Sequence, residues 1–175
     1  MNLKNNQNLI IATVLVIVAA FSRLIIDIPN VSPIMALSLF AGAYFLDKKF
    51  AIVIPISALL LSDMFLGFHS MIWAVYLSFV FAVFIGYLIS KKVTFIKVFF
   101  SSIAGSVIFF LITNFAFWLM FKDYTHDMSG LILCYEMAIP FFRNTLLSDM
   151  GFSLVIFGSY ALAGKFVFSE KAIIN

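Results

Sequence analysis

Ser62-Asp63-Met64-Phe65-Leu66-Gly67-Phe68-His69 sets a carboxylate, a glycine and an imidazole at the end of an otherwise apolar run. Groups so placed can receive the polar ends of a small solute, or gate its passage. Water-facing termination of a helix would explain Asp63 equally. Arg23 and Asp27 are four apart and share a helix face, where they can pair with each other or turn toward a ligand. Asn114 and Trp118 have the same spacing, so an amide and an indole lie on one face. Trp118 alone would pass as an interfacial belt residue, but a buried amide needs a partner. Tyr135 and Glu136 come next, then Arg143 and Asn144, with Asp149 about one and a half turns further into an apolar segment. An aspartate there calls for a partner, either Arg143, Asp63 or a bound ligand. His69 and His126 complete the set, with His126, like Arg23 and Asp27, in a pairing or gating role.

This chemistry is recognition rather than catalysis. The two histidines and single Cys134 have no zinc-signature spacing, and no phosphate loop, nucleophile elbow or dinucleotide motif is present. The sequence therefore predicts no catalytic residue, resident metal or cofactor. One cysteine cannot form an intrachain disulfide.

The elements that carry these residues are set by hydropathy. Of 175 residues, 64% are hydrophobic and 11% charged, with 23 Phe and a mean hydropathy of +1.14. A soluble domain carries about 25% charged residues, so the solvent is mainly lipid. The uncharged runs predict an all-α membrane protein in one domain over 1–175, a six-transmembrane-helix bundle with spans near 7–26, 33–46, 50–66, 70–90, 98–121 and 145–166. Pro29 and Pro33 shorten the second span. Between the fifth and sixth, Gly130 and Pro140 bracket an extra short helix near 130–140, interfacial or re-entrant.

Eight of the eleven basic residues then fall on one side, which the positive-inside rule makes cytoplasmic together with both termini. Six of the eight acidic residues (Asp27, Asp63, Asp123, Asp127, Glu136 and Asp149) and both histidines collect at the opposite end. The net charge of +3 is thus a topology signal, with no nucleic-acid partner implied.

Asn30-Val31-Ser32-Pro33-Ile34-Met35-Ala36-Leu37, the Ser62–His69 stretch, Thr113-Asn114-Phe115 with Trp118, and Pro140 to Asp149 together resemble a family of small bacterial inner-membrane proteins catalogued as transport proteins of unknown function. More distantly, the layout is similar to the substrate-binding S components of energy-coupling factor transporters. That resemblance implies capture of a vitamin-like or nucleoside-like solute from outside. It also implies closure by the loops at Asp27–Ser32, Asp63–Ser70 and Lys122–Asn144, and a partner membrane subunit with ATPases. The alanine-x-x-x-alanine docking pattern of those proteins is absent from helix 1, where Ala12 is followed by Val16.

The expected function is therefore substrate capture in an outward-facing cup. Asp63, His69, Asn114, Trp118, Tyr135, Glu136, Arg143, Asn144 and Asp149 would bind the solute. Two other readings make different demands. A membrane enzyme or metal-dependent protein needs the outer His and Asp groups to converge, and a structural subunit needs them paired off with no cup.

Overall fold

The computed structural model describes residue 14 and residues 17–26, 28–45 and 47–173, with the side chains of residue 48 and of residues 163 onward outside the description. The described residues form six helices and no strand: α1 (described over 17–25), α2 (Ile34–Tyr44), α3 (Lys48–Leu66), α4 (Ile72–Ile89), α5 (Phe95–Met120) and α6 (Met128–Ile173). Four of them, α3 to α6, are long and apolar enough to cross a membrane. By length and composition this is a membrane protein.

The organising element is the shortest. Helix α2 has 11 residues, about 16 Å at the helical rise, too little for a hydrocarbon layer of about 30 Å. Every residue from Ile34 to Ala43 is buried. It is an interior helix that the others wrap, where the sequence predicts the second membrane span over 33–46. Pro33 sets its start, with the Leu37 amide bonded to the Pro33 carbonyl at 2.9 Å.

Lipid tails give no hydrophobic push between helices, so close packing needs small side chains. Ala74, Ser78, Ala82 and Gly86 recur every fourth residue on α4 and are all buried. They form the face that meets α2. A methyl group at Gly86 would overlap the Leu39 carbonyl, and one at Gly42 would overlap the Val83 carbonyl. The two backbones touch there, so both positions require glycine. On the outside, Phe65, Phe84 and Phe100 stand exposed, as a lipid-facing surface allows.

The segment after α5 differs from expectation. Only residues 121–127 form a loop, and α6 then runs for 46 residues with Pro140 inside it. The predicted short helix at 130–140 and the sixth span are one helix. At about 69 Å it exceeds a single hydrocarbon thickness. Proline removes one backbone donor without parting the helix, because both sides are tied to neighbours. Tyr135 Oη donates to the Leu111 carbonyl of α5 at 2.8 Å, and beyond the proline Asn144 Nδ2 donates to the Pro29 carbonyl at 3.4 Å.

Candidate functional site

The C-terminal ends of α1, α3 and α5 and the N-terminal ends of α2, α4 and α6 meet at one end of the bundle. There they enclose a cavity of about 440 Å³. Ligand sites span about 300–1,000 Å³, so its size suits one small molecule. The lining follows helical geometry. Helix α6 contributes Ala138, Phe141, Phe142, Thr145 and Asp149, and α5 contributes Phe109, Phe110, Thr113, Asn114 and Phe117. Both sets recur at three- and four-residue intervals, as one helix face must. Ile28 to Ser32 and His69 to Met71 add two loops at the rim.

Arg23 reaches this end from α1. Its Nη1 donates to Asp63 Oδ1 at 2.8 Å and to Ser62 Oγ at 2.5 Å, while Tyr76 Oη donates to Asp63 Oδ2 at 2.9 Å. The side chain of Asp63 is 3% exposed and that of Arg23 is 20% exposed. Both carboxylate oxygens are therefore occupied, and Asp63 does not line the cavity. Its work is to neutralise and aim Arg23, which does. Asp27, the partner that spacing suggests for Arg23, lies outside the described residues.

Asp149 is placed differently. It is 3% exposed and lines the cavity from deep in α6. Ser106 Oγ of α5 donates to its Oδ2 at 2.6 Å, and no cation pairs with it among the described residues. Arg143, a candidate partner in the sequence, is exposed and makes no ion pair among them. Ser106 lies eleven residues before Phe117, about 16 Å along α5, so Asp149 marks the floor.

Of the sequence-predicted residues, His69, Asn114, Asp149 and Arg23 line the cavity. Asn114 Nδ2 donates to its own helix at the Phe110 carbonyl, 2.8 Å away, which leaves its amide oxygen as an acceptor. Asp63, Trp118, Tyr135, Glu136, Arg143 and Asn144 are not in the lining. Trp118 Nε1 donates to the Thr125 carbonyl at 2.9 Å, and its ring meets the His126 ring edge-on at 5.4 Å, so the pair fastens the 121–127 loop to α5. Tyr135 and Asn144 hold the helix ties given above, and Glu136 is exposed. The long lid expected over Lys122–Asn144 is mostly helix, and its contribution to the cup is a wall.

Asp127 also has a structural task. Its Oδ1 accepts from the Gly130 amide at 2.8 Å, from Ser129 Oγ at 2.7 Å and from Thr125 Oγ1 at 2.9 Å, which caps the start of α6. The Gly130 amide, helped by the two hydroxyls, lowers its pKa to about 2. No group of three or more His, Cys, Asp or Glu converges as a metal site among the described residues. Cys134 is buried, with Sγ 3.6 Å from the Asn114 carbonyl.

Sequence reasoning passed over Ser106, Tyr76 and the phenylalanines of the wall. Ser102 and Ser106, one turn apart beside Gly105, were the available signal for the first. For Tyr76 there was none, since tyrosine at a helix end reads as an interfacial residue.

No curated protein and no solved structure is significantly similar to the chain. Residues 3–171 match a family described as a family of unknown function (DUF6580), and the chain belongs to it.

Proposed function

We propose that this protein is a membrane transport protein of the substrate-capture kind, holding one small solute in the cup formed at the site-bearing end of the bundle. The observation that carries the reading is the cavity of about 440 Å³ walled by aromatic side chains, with Arg23, His69, Asn114 and Asp149 among its polar groups. A few placed polar groups in an apolar concavity are what orients a small ligand. A purely structural subunit would have these residues paired with one another and no cup, whereas Asp149 carries a charge-bearing group into an open space.

The positive-inside balance of the sequence supports a cup that faces outward, in a bacterial inner membrane, with cytoplasmic termini. Resemblance to vitamin-capture subunits supports a vitamin-like or nucleoside-like solute and an energy-coupling partner with ATPases. No chemistry on the solute is part of the proposal.

Mass spectrometry of small molecules that co-purify with the detergent-solubilised protein tests it. Ala138→Phe, which fills the cup from the α6 wall, is expected to abolish a solute carried by the wild type, while Glu136→Gln, outside the lining, leaves it. A co-purifying set unchanged by Ala138→Phe would refute the assignment of the cup.

A further inference from the structure

Charge within the cup is unbalanced. Arg23 is matched by Asp63 through a 2.8 Å contact, so that pair adds no net charge. Asp149 has only the neutral hydroxyl of Ser106 on Oδ2. Among the described residues no polar side-chain atom is both enclosed and unpaired, and no hydrogen bond holds Asp149 Oδ1. That oxygen therefore opens onto the cavity that Asp149 lines. A carboxyl group nine-tenths buried, in a lipid-embedded helix, with one oxygen free, is costly to keep ionised unless something positive, a proton or a cationic group, arrives.

The walls around it are suited to the same visitor. Phe110 and Phe142, from facing helices, sit with ring centroids 4.7 Å apart, and Phe79 and Phe109 sit 5.5 Å apart. Ring faces attract cations as well as flat apolar groups. Near the other end of the cup, Nη1 makes both of the guanidinium's hydrogen bonds among the described residues. Arg23 therefore keeps further N–H donors for a carbonyl or hydroxyl of the solute.

We infer that the solute is a small aromatic monocation, with an ammonium or amidinium N–H group that donates to Asp149 Oδ1 at the floor and a flat ring held among the phenylalanines. This deepens the capture reading and rests on it. An anionic solute of the same size would meet the uncompensated carboxylate and be excluded, and a neutral one would leave it unpaired.

Three probes of one size and one ring decide the matter: phenethylammonium, 2-phenylethanol and phenylacetate, titrated calorimetrically against the full chain in detergent. Truncating one member of a buried charge pair weakens binding by about 30-fold or more. The ammonium is therefore expected to bind at least about 30-fold more tightly than the alcohol, with no detectable phenylacetate binding. Asp149→Asn, which keeps the shape and removes the charge, should erase that preference, and Ser106→Ala should keep it. If Asp149→Asn does not fold, the ranking of the three probes on the wild type decides alone.

Equal or tighter binding of the alcohol or the anion, a preference that survives Asp149→Asn, or no saturable binding of the ammonium would each overturn the inference. Phenylacetate binding that Ala138→Phe blocks would overturn it while leaving capture in the cup intact. Loss of the capture reading itself is seen separately, in the co-purified solutes.

Discussion

Arg23→Ala strips Asp63 of its countercharge and leaves only the Tyr76 hydroxyl, at 2.9 Å, on a side chain 3% exposed. Breaking a buried pair by removing one member costs about 3–5 kcal/mol. The lower end applies here, about 3 kcal/mol, because the arginine side chain is 20% exposed and water can follow it out. Asp63→Asn should cost less, about 1–2 kcal/mol. Its amide oxygen still accepts from Tyr76 or Arg23, and the guanidinium left behind lines an open cup. The double change Arg23→Ala with Asp63→Asn removes the stranded charge, so it should be more stable than Arg23→Ala alone by about 1 kcal/mol or more. Reversible unfolding in mixed micelles, followed by circular dichroism, gives all three numbers. A double variant no more stable than Arg23→Ala would refute the reasoning, since the loss would then lie in packing rather than in an orphaned carboxylate.

Gly86→Ala drives a methyl into the Leu39 carbonyl and is expected to destabilise by about 1–3 kcal/mol, whereas Gly151→Ala, with open space around it, should be neutral or stabilising by up to about 1 kcal/mol; equal melting shifts would contradict the α2–α4 packing. For Asp127 the sign is that of a depressed carboxyl: its folded pKa of about 2 lies below the ordinary 3.8, so its stabilisation of the α6 start is complete above about pH 4 and is lost as pH falls through about 2. Hydrogen-exchange protection of the Gly130 amide, normalised for intrinsic exchange, should fall over that window in the wild type, and a similar fall in Asp127→Asn, which cannot titrate there, would exclude the cap as its cause. Trp118→Phe removes the indole donor to the Thr125 carbonyl and should raise exchange in residues 121–127 while leaving solute retention unchanged; lost retention would return Trp118 to the site.

Much of the end of the bundle that carries the site was legible because charges in an apolar chain are sparse and expensive, so each marks a surface or a function. Asp149 stood out on that ground, as did Asp63, His69 and Asn114. What linear reading misjudged was azimuth. Arg143 and Asn144 are neighbours of Phe142 and Thr145, yet each residue turns a helix by about 100°, and only the face through 138, 141, 142, 145 and 149 lines the cavity. The same rotation separates Trp118 from Phe117. Had α6 been taken as continuous through Pro140, spacing back from Asp149 would have selected the lining face. The proline argued otherwise, because its cost is intrinsic whereas the ties from Tyr135 and Asn144 that hold the helix together are tertiary. Burial of α2 was hidden for a related reason: in lipid, an apolar helix looks alike whether it faces lipid tails or other helices.

The two buried aspartates at this end have been treated in opposite ways by the fold. Asp63 is closed off by two donors, Arg23 and Tyr76, both from other helices, and a change there acts on stability first. Asp149 gets one neutral donor and an opening. Nothing about folding requires this: an apolar side chain between Ser106 and Thr145 would pack without desolvating a carboxylate, and replacing buried charge by apolar groups is often neutral or stabilising. Local rules of good packing are broken where function has use of the exception. Asp149→Asn should therefore leave the folded protein as stable as the wild type or more so, while the charge preference of the cup is lost. A variant that unfolds more readily than Ser106→Ala would instead make Asp149 part of the scaffold, and would move the search for the recognition group to His69 and Asn114.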